Sequence, residues 1–100
     1  MTEQLQAALN NTENTLNEYW NDNKASGMEK MSLNIVKDAL LDNEVEVIYV
    51  EKSLNIIYYL LASYCEDYIS SDTEMQEVIG KDFELIQDTL VEKLDMKISF

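Results

Sequence analysis

Apolar side chains in this chain recur mostly at three- and four-residue spacing, the period of a helix with one buried face. Leu5, Leu9, Thr12, Leu16, Tyr19 and Trp20 follow that rhythm behind Thr2, a good N-cap. They predict a first amphipathic helix ending around Asn21-Asp22-Asn23. Six asparagines lie within or end it; they are poor helix formers, so this helix depends on tertiary packing. Ser26-Gly27-Met28-Glu29 reads as a capping box. Met28, Met31, Ile35, Val36, Ala39 and Leu40 then form the apolar face of a second helix that runs to about Asp42-Asn43.

The following segment points two ways. Val45, Val47 and Tyr49 alternate with Glu46, Ile48 and Val50, which is strand-like and β-branched, whereas Asn43-x-x-Glu46 resembles a capping box that would open a helix. The alternation favours a strand over 45–50. Met96, Ile98 and Phe100, alternating with Lys97 and Ser99, supply its expected partner over 96–100. From Ser53 to Ser70 one face carries Leu54, Tyr58, Leu61, Cys65 and Tyr68 and another carries Ile57, Leu60 and Tyr64, so the helix predicted there is apolar nearly all round. That is the signature of a domain's buried centre. A hairpin joining 45–50 to 56–61 is the rival, disfavoured because residues 51–55 hold neither Gly nor Pro.

The last helix opens at one of two overlapping boxes, Ser71-x-x-Glu74 or Thr73-x-x-Gln76. Met75, Ile79, Phe83, Ile86, Leu90 and Leu94 form its stripe, and Gly80, ahead of Lys81-Asp82, is a candidate break. With no proline, two glycines, no repeat and no linker, residues 1–100 read as one mostly α domain of about four helices, with a short two-stranded β element over 45–50 and 96–100. The chain holds 46% hydrophobic residues, too many for a disordered acidic tail.

Charge changes the picture most. Twenty Asp and Glu face seven Lys, with no Arg and no His, for a net charge of −13. Lacking the guanidinium fork and any basic cluster, the chain is not expected to bind nucleic acid directly. Lacking histidine, it has no ordinary acid-base group at neutral pH and lacks the commonest metal ligand. An anionic membrane surface would repel it, and the longest apolar stretch, 54–65, is too short to span a bilayer. Residues 1–20 have neither the basic start nor the apolar run of a signal peptide, and Cys65 is the single cysteine, so the expected location is the cytoplasm. The Asn10-Asn11-Thr12 triplet matches a glycosylation sequon, which has meaning only for an exported chain.

Candidate chemistry is sparse. Cys65 has no histidine to deprotonate it and lies on an apolar face, where a thiol is a structural hydrophobe. Glu66-Asp67 beside Tyr64 and Tyr68 is the densest polar and aromatic cluster, but twenty acids in a hundred residues place such pairs side by side by chance. No segment has the ligand array of an EF-hand, and the run from Glu66-Asp67 to Asp72 and Glu74 would hold a cation only loosely. No enzyme activity, cofactor or metal is expected.

Partner binding through charge remains. Along the last helix Glu74, Glu77, Glu84, Asp88, Glu92 and Asp95 repeat on one outward face, interrupted by Lys81, with few of the lysines that would balance them four residues on. A seven-residue step advances about 10.5 Å, close to three phosphates of one DNA strand at roughly 3.4 Å each. Self-repulsion of this size costs stability, and steering onto a basic partner is what it offers in return. Usage also leans to AT-rich codons, as in many phage genes: Phe, Tyr, Met, Ile, Asn and Lys supply 37 residues, whereas Gly, Ala, Arg and Pro supply 7. The leading expectation is a non-enzymatic inhibitor that imitates a polyanion and blocks a nucleic-acid-handling protein, of the phage counter-defence or immunity type. Its expected contacts are Glu66, Asp67, Asp72, Glu74, Glu77, Glu84, Asp88 and Glu92. The alternative is a helical adaptor or a homo-oligomer, a homodimer being the simplest, that uses the apolar, Tyr-rich segment 54–68.

Overall fold

Thr2 turns the chain into its first helix: the hydroxyl accepts the Leu5 amide at 3.1 Å, and α1 runs Glu3–Asp22. This is a computed structural model, and it describes residues 1–23 and 26–96. Ser26 caps α2 (Gly27–Leu40) by accepting the Glu29 amide at 3.2 Å. Asp42 then takes a left-handed conformation (φ 64°) that stops α2, and the Asn43 amide closes the turn on the Asp38 carbonyl at 2.9 Å. Two further helices follow, α3 (Val47–Tyr68) and α4 (Thr73–Leu94). No strand forms among the described residues.

The strand expected over 45–50 is therefore overturned. Its residues from Val47 onward form the first turn of α3, because Val50, Leu54, Ile57 and Leu61 bury themselves at helical spacing against the other helices. That burial outweighs the alternation of β-branched residues, which marks a strand only where a partner strand exists. It also outweighs the lack of a cap, for Glu46 at the N-cap makes no side-chain bond. Met96, the first residue of the expected partner strand, is buried just past the left-handed Asp95 that ends α4; 97–100 lie outside the described residues.

Two further expectations fail locally. Gly80 does not break α4, since its backbone is helical and the flanking Ile79 and Phe83 are anchored in the core. Neither Ser71 nor Thr73 caps that helix: Asp72 does, its carboxylate accepting the Met75 amide at 3.1 Å.

The helices alternate in direction and pair as two layers, α1 against α4 and α2 against α3, with α3 also touching α1 and α4. All four helices feed one core, in which Leu16, Val36, Val50, Leu54, Ile57 and Leu90 are fully enclosed. Cross-layer ties sit at the margins. Lys37 of α2 pairs with Glu13 of α1 at 2.7 Å, and Lys93 of α4 reaches both Asp42 and the Leu40 carbonyl at the end of α2. A cation there also meets the negative end of the α2 dipole. Met28, Met31 and Met75, expected in the core, are exposed: the buried arc of each helix is narrower than its apolar arc, and these side chains fall on the flank.

Candidate functional site

The α4 stripe forms as its spacing implies. Ile79, Phe83, Ile86 and Leu90 turn into the core, and Glu74, Glu77, Glu84, Asp88 and Glu92 are all exposed. At about 100° per residue these five carboxylates share an arc of about 80° on the side opposite the core. From Glu74 to Glu92 they span roughly 27 Å of helix. The two ion pairs among the described residues use Glu13 and Asp42, so neither draws on this stripe.

The other three expected residues lie at the α4 N-terminal end of the bundle, where α1 and α3 finish. Glu66 is exposed in the last turn of α3. Asp72 serves the fold as the α4 cap. Asp67 accepts the Tyr19 hydroxyl at 2.9 Å. That bond opens onto an arrangement the sequence conceals: Tyr19, Tyr64 and Tyr68 pack ring to ring, with centroids 5.0–6.2 Å apart, and each hydroxyl donates to a carboxylate on the neighbouring helix. Tyr64 donates to Glu18 at 3.1 Å and Tyr68 to Asp22 at 2.7 Å, while the Asn23 amide donates to the Tyr68 oxygen at 3.2 Å.

Each hydroxyl holds its proton more tightly for a local reason. The bond to Asp22 pushes Tyr68 up to about 12, and the bond to Asp67 raises Tyr19. For Tyr64 burial is the larger cause and the bond to Glu18 the second. The tyrosines thus order the carboxylates without adding positive charge. Neither α1 nor α3 has a basic residue in its last turn, so Asp22 and Asp67 sit against the negative ends of two helix dipoles. The α4 stripe begins at this same end of the bundle, to which α1 adds Glu18 and Asp22. Those two residues were missed, because Tyr64 and Tyr68 stand next to Glu66-Asp67 in sequence yet bond across to α1.

Cys65 is half-buried, and burial pushes its thiol up, against nucleophilic use. It lines a cleft of about 170 Å³ between α3 and α4 with Tyr58, Leu61, Gly80 and Phe83. Among the described residues no cluster of His, Cys, Asp and Glu has the geometry to hold a metal ion. No described helix is long and apolar enough to cross a membrane. Compared with the models of known protein families, with curated proteins and with solved structures, the chain has no significant match.

Proposed function

We propose that this chain is a non-enzymatic acidic binding protein, an inhibitor that presents α4 in place of a nucleic-acid backbone and occupies the basic groove of a nucleic-acid-handling protein. The type is that of phage counter-defence and nuclease-immunity proteins, acting in the host cytoplasm. One observation carries the reading: five exposed carboxylates along roughly 27 Å of one helix face, with both ion pairs of the described residues formed elsewhere. Fixed on a rigid helix, they approach a cationic groove with little further ordering to be lost. The helix ends beneath Asp22 and Asp67 add partial negative charge where the stripe begins, which would steer a basic partner to that end first.

The test is capture of the partner from host lysate on the immobilised chain, elution by a salt gradient, and competition of the eluted protein with duplex DNA. The reading expects a protein that binds nucleic acid, whose DNA binding this chain blocks, with affinity falling steeply as salt rises. The variant Glu84→Lys/Asp88→Lys/Glu92→Lys should keep its helicity and lose at least about tenfold in affinity, about 1.4 kcal/mol. A partner that binds this variant as tightly as the parent overturns the reading.

A further inference from the structure

The homodimer expectation rested on residues 54–68, yet Leu54, Ile57, Leu61 and Tyr64 are consumed by the chain's own core. Of that segment Tyr58 and Tyr59 stay exposed, and Tyr59 joins an apolar patch on the outward face of the α2/α3 layer. Met28 (69% exposed), Met31 (59%), Ile48 (53%), Tyr49 (52%) and Tyr59 (64%) stand there in solvent. Met28, Met31 and Tyr49 border a groove of about 270 Å³ between the two helices, floored by the small side chains of Ser32 and Ser53.

We propose that this face docks a second copy of the same chain. Charge selects that occupant. Helices α1 and α4 together hold ten acids against two lysines, net −8, whereas α2, α3 and the loop that joins them hold eight against three, net −5, with Asp42, Glu44 and Glu46 of that loop exposed at one end. From Val47 to Cys65 the balance is zero, with Glu51 next to Lys52. Two molecules of charge −13 repel each other, and of the two layers this one opposes less like charge, least of all along the balanced stretch of α3. With the α2/α3 layers in contact, the two acidic layers lie three helix-packing distances apart, about 27 Å at about 9 Å each. That is several times the screening length of about 8 Å at physiological ionic strength. The neighbouring Glu51 and Lys52 suit a two-fold contact, in which each sign can face its opposite.

Size fits as well. Side chains of this bulk, half exposed or more, offer roughly 100 Å² each, so the five supply about 500 Å² per copy toward the roughly 800 Å² of a standard interface. The groove walls and the polar rim at Lys52 and Asn55 make up the remainder. Tyr and Met are also the side chains enriched in such contacts. This inference stands independently of the polyanion reading. A dimer built this way leaves both α4 stripes facing outward.

Sedimentation of the intact chain over a range of concentrations, at low and high salt, tests it. The expected result is a species of twice the 11.6 kDa chain mass that tightens as salt rises, because screening removes repulsion while apolar contact persists. Tyr59→Glu and Met31→Glu, both at exposed positions, should weaken dimerisation at least about tenfold without loss of helicity. Tyr59→Ser checks the same contact without added charge, and Glu84→Lys/Asp88→Lys/Glu92→Lys should dimerise at least as well as the parent. A chain that stays monomeric at high concentration and high salt overturns the proposal, leaving this face to some other partner. So does dimerisation that survives substitution of Tyr59 and Met31 or that is lost only in the α4 variant.

Discussion

The two helix layers share one core and differ on their outsides. In α1/α4 the exposed surface is carboxylate-rich, and the groove between the helices is lined by Asn11 and Asp82, hydrogen-bonded at 3.3 Å, together with Met75 and Val78. In α2/α3 the exposed surface is less acidic, and the groove is edged by methionine and tyrosine. Since Leu16 and Leu90 are enclosed as completely as Val36 and Leu54, burial does not separate the layers. What separates them is the composition of residues that face water, and hence what each can meet. The first layer repels another copy and attracts cations more strongly, whereas the second offers more exposed Met and Tyr at a smaller electrostatic cost.

The largest test of this contrast strikes what the layers have in common. Leu54→Ala in α3 and Leu90→Ala in α4 should each cost about 2–5 kcal/mol, since each removes a fully buried side chain from the one core. Urea titration should show a single transition in both variants; separate transitions for the two layers would dissolve the shared core. A smaller effect of opposite sign is expected at Gly80. Its backbone is helical, and a Cβ built there meets nothing within 4 Å, so Gly80→Ala should stabilise by about 0.5–1 kcal/mol. Absence of that gain in thermal unfolding would mean the cleft beside Cys65 needs the glycine.

Charge on the acidic layer gives the next. Glu84, Asp88 and Glu92 stand four residues apart, two like-charge pairs that each cost about 0.2–0.5 kcal/mol. Asp88→Lys turns both into attractive pairs and should stabilise by about 0.5–1 kcal/mol in low salt, the gain shrinking as salt is added. An equal gain at high salt would point to packing or helix propensity instead of charge.

The smallest effect concerns the tyrosine cluster and appears only in alkali. Tyr68 titrates near 10 in an unfolded chain and at about 12 here. Its folded value is the higher, so the stability it contributes is complete below about pH 10 and is lost as pH rises through about 12. Urea titrations across that window should show the parent losing more stability than Tyr68→Phe. Parallel loss in both proteins would remove Tyr68 from the alkaline transition.

Much of the architecture was legible in the chain. The stripes Leu5-Leu9-Leu16 and Ile79-Phe83-Ile86-Leu90 predict α1 and α4 and turn the correct residues inward. Thr2 and Ser26 cap where their side chains imply, and the α4 carboxylates follow from spacing alone. Each of these is a local property, set by helical period and by short-range hydrogen bonds. The eight expected contact residues are exposed for the same reason, a charge seldom being buried without a partner. Glu18 and Asp22 could not be read in this way, because their tyrosine partners lie 46 residues away.

The sequence by itself determined the helical period, the caps of α1 and α2, the anionic character and the outward acidic stripe, since all of these depend on neighbours within a turn or two. Tertiary structure alone decided that 47–50 are helix, that α1 pairs with α4 and α2 with α3, that Met28 and Met31 remain outside, and that three tyrosines bond three distant carboxylates. Those outcomes depend on which apolar arcs meet, and a core of limited width accepts only part of each arc. Residues left at the flank therefore take their environment from a helix far away in the chain, which no local pattern encodes.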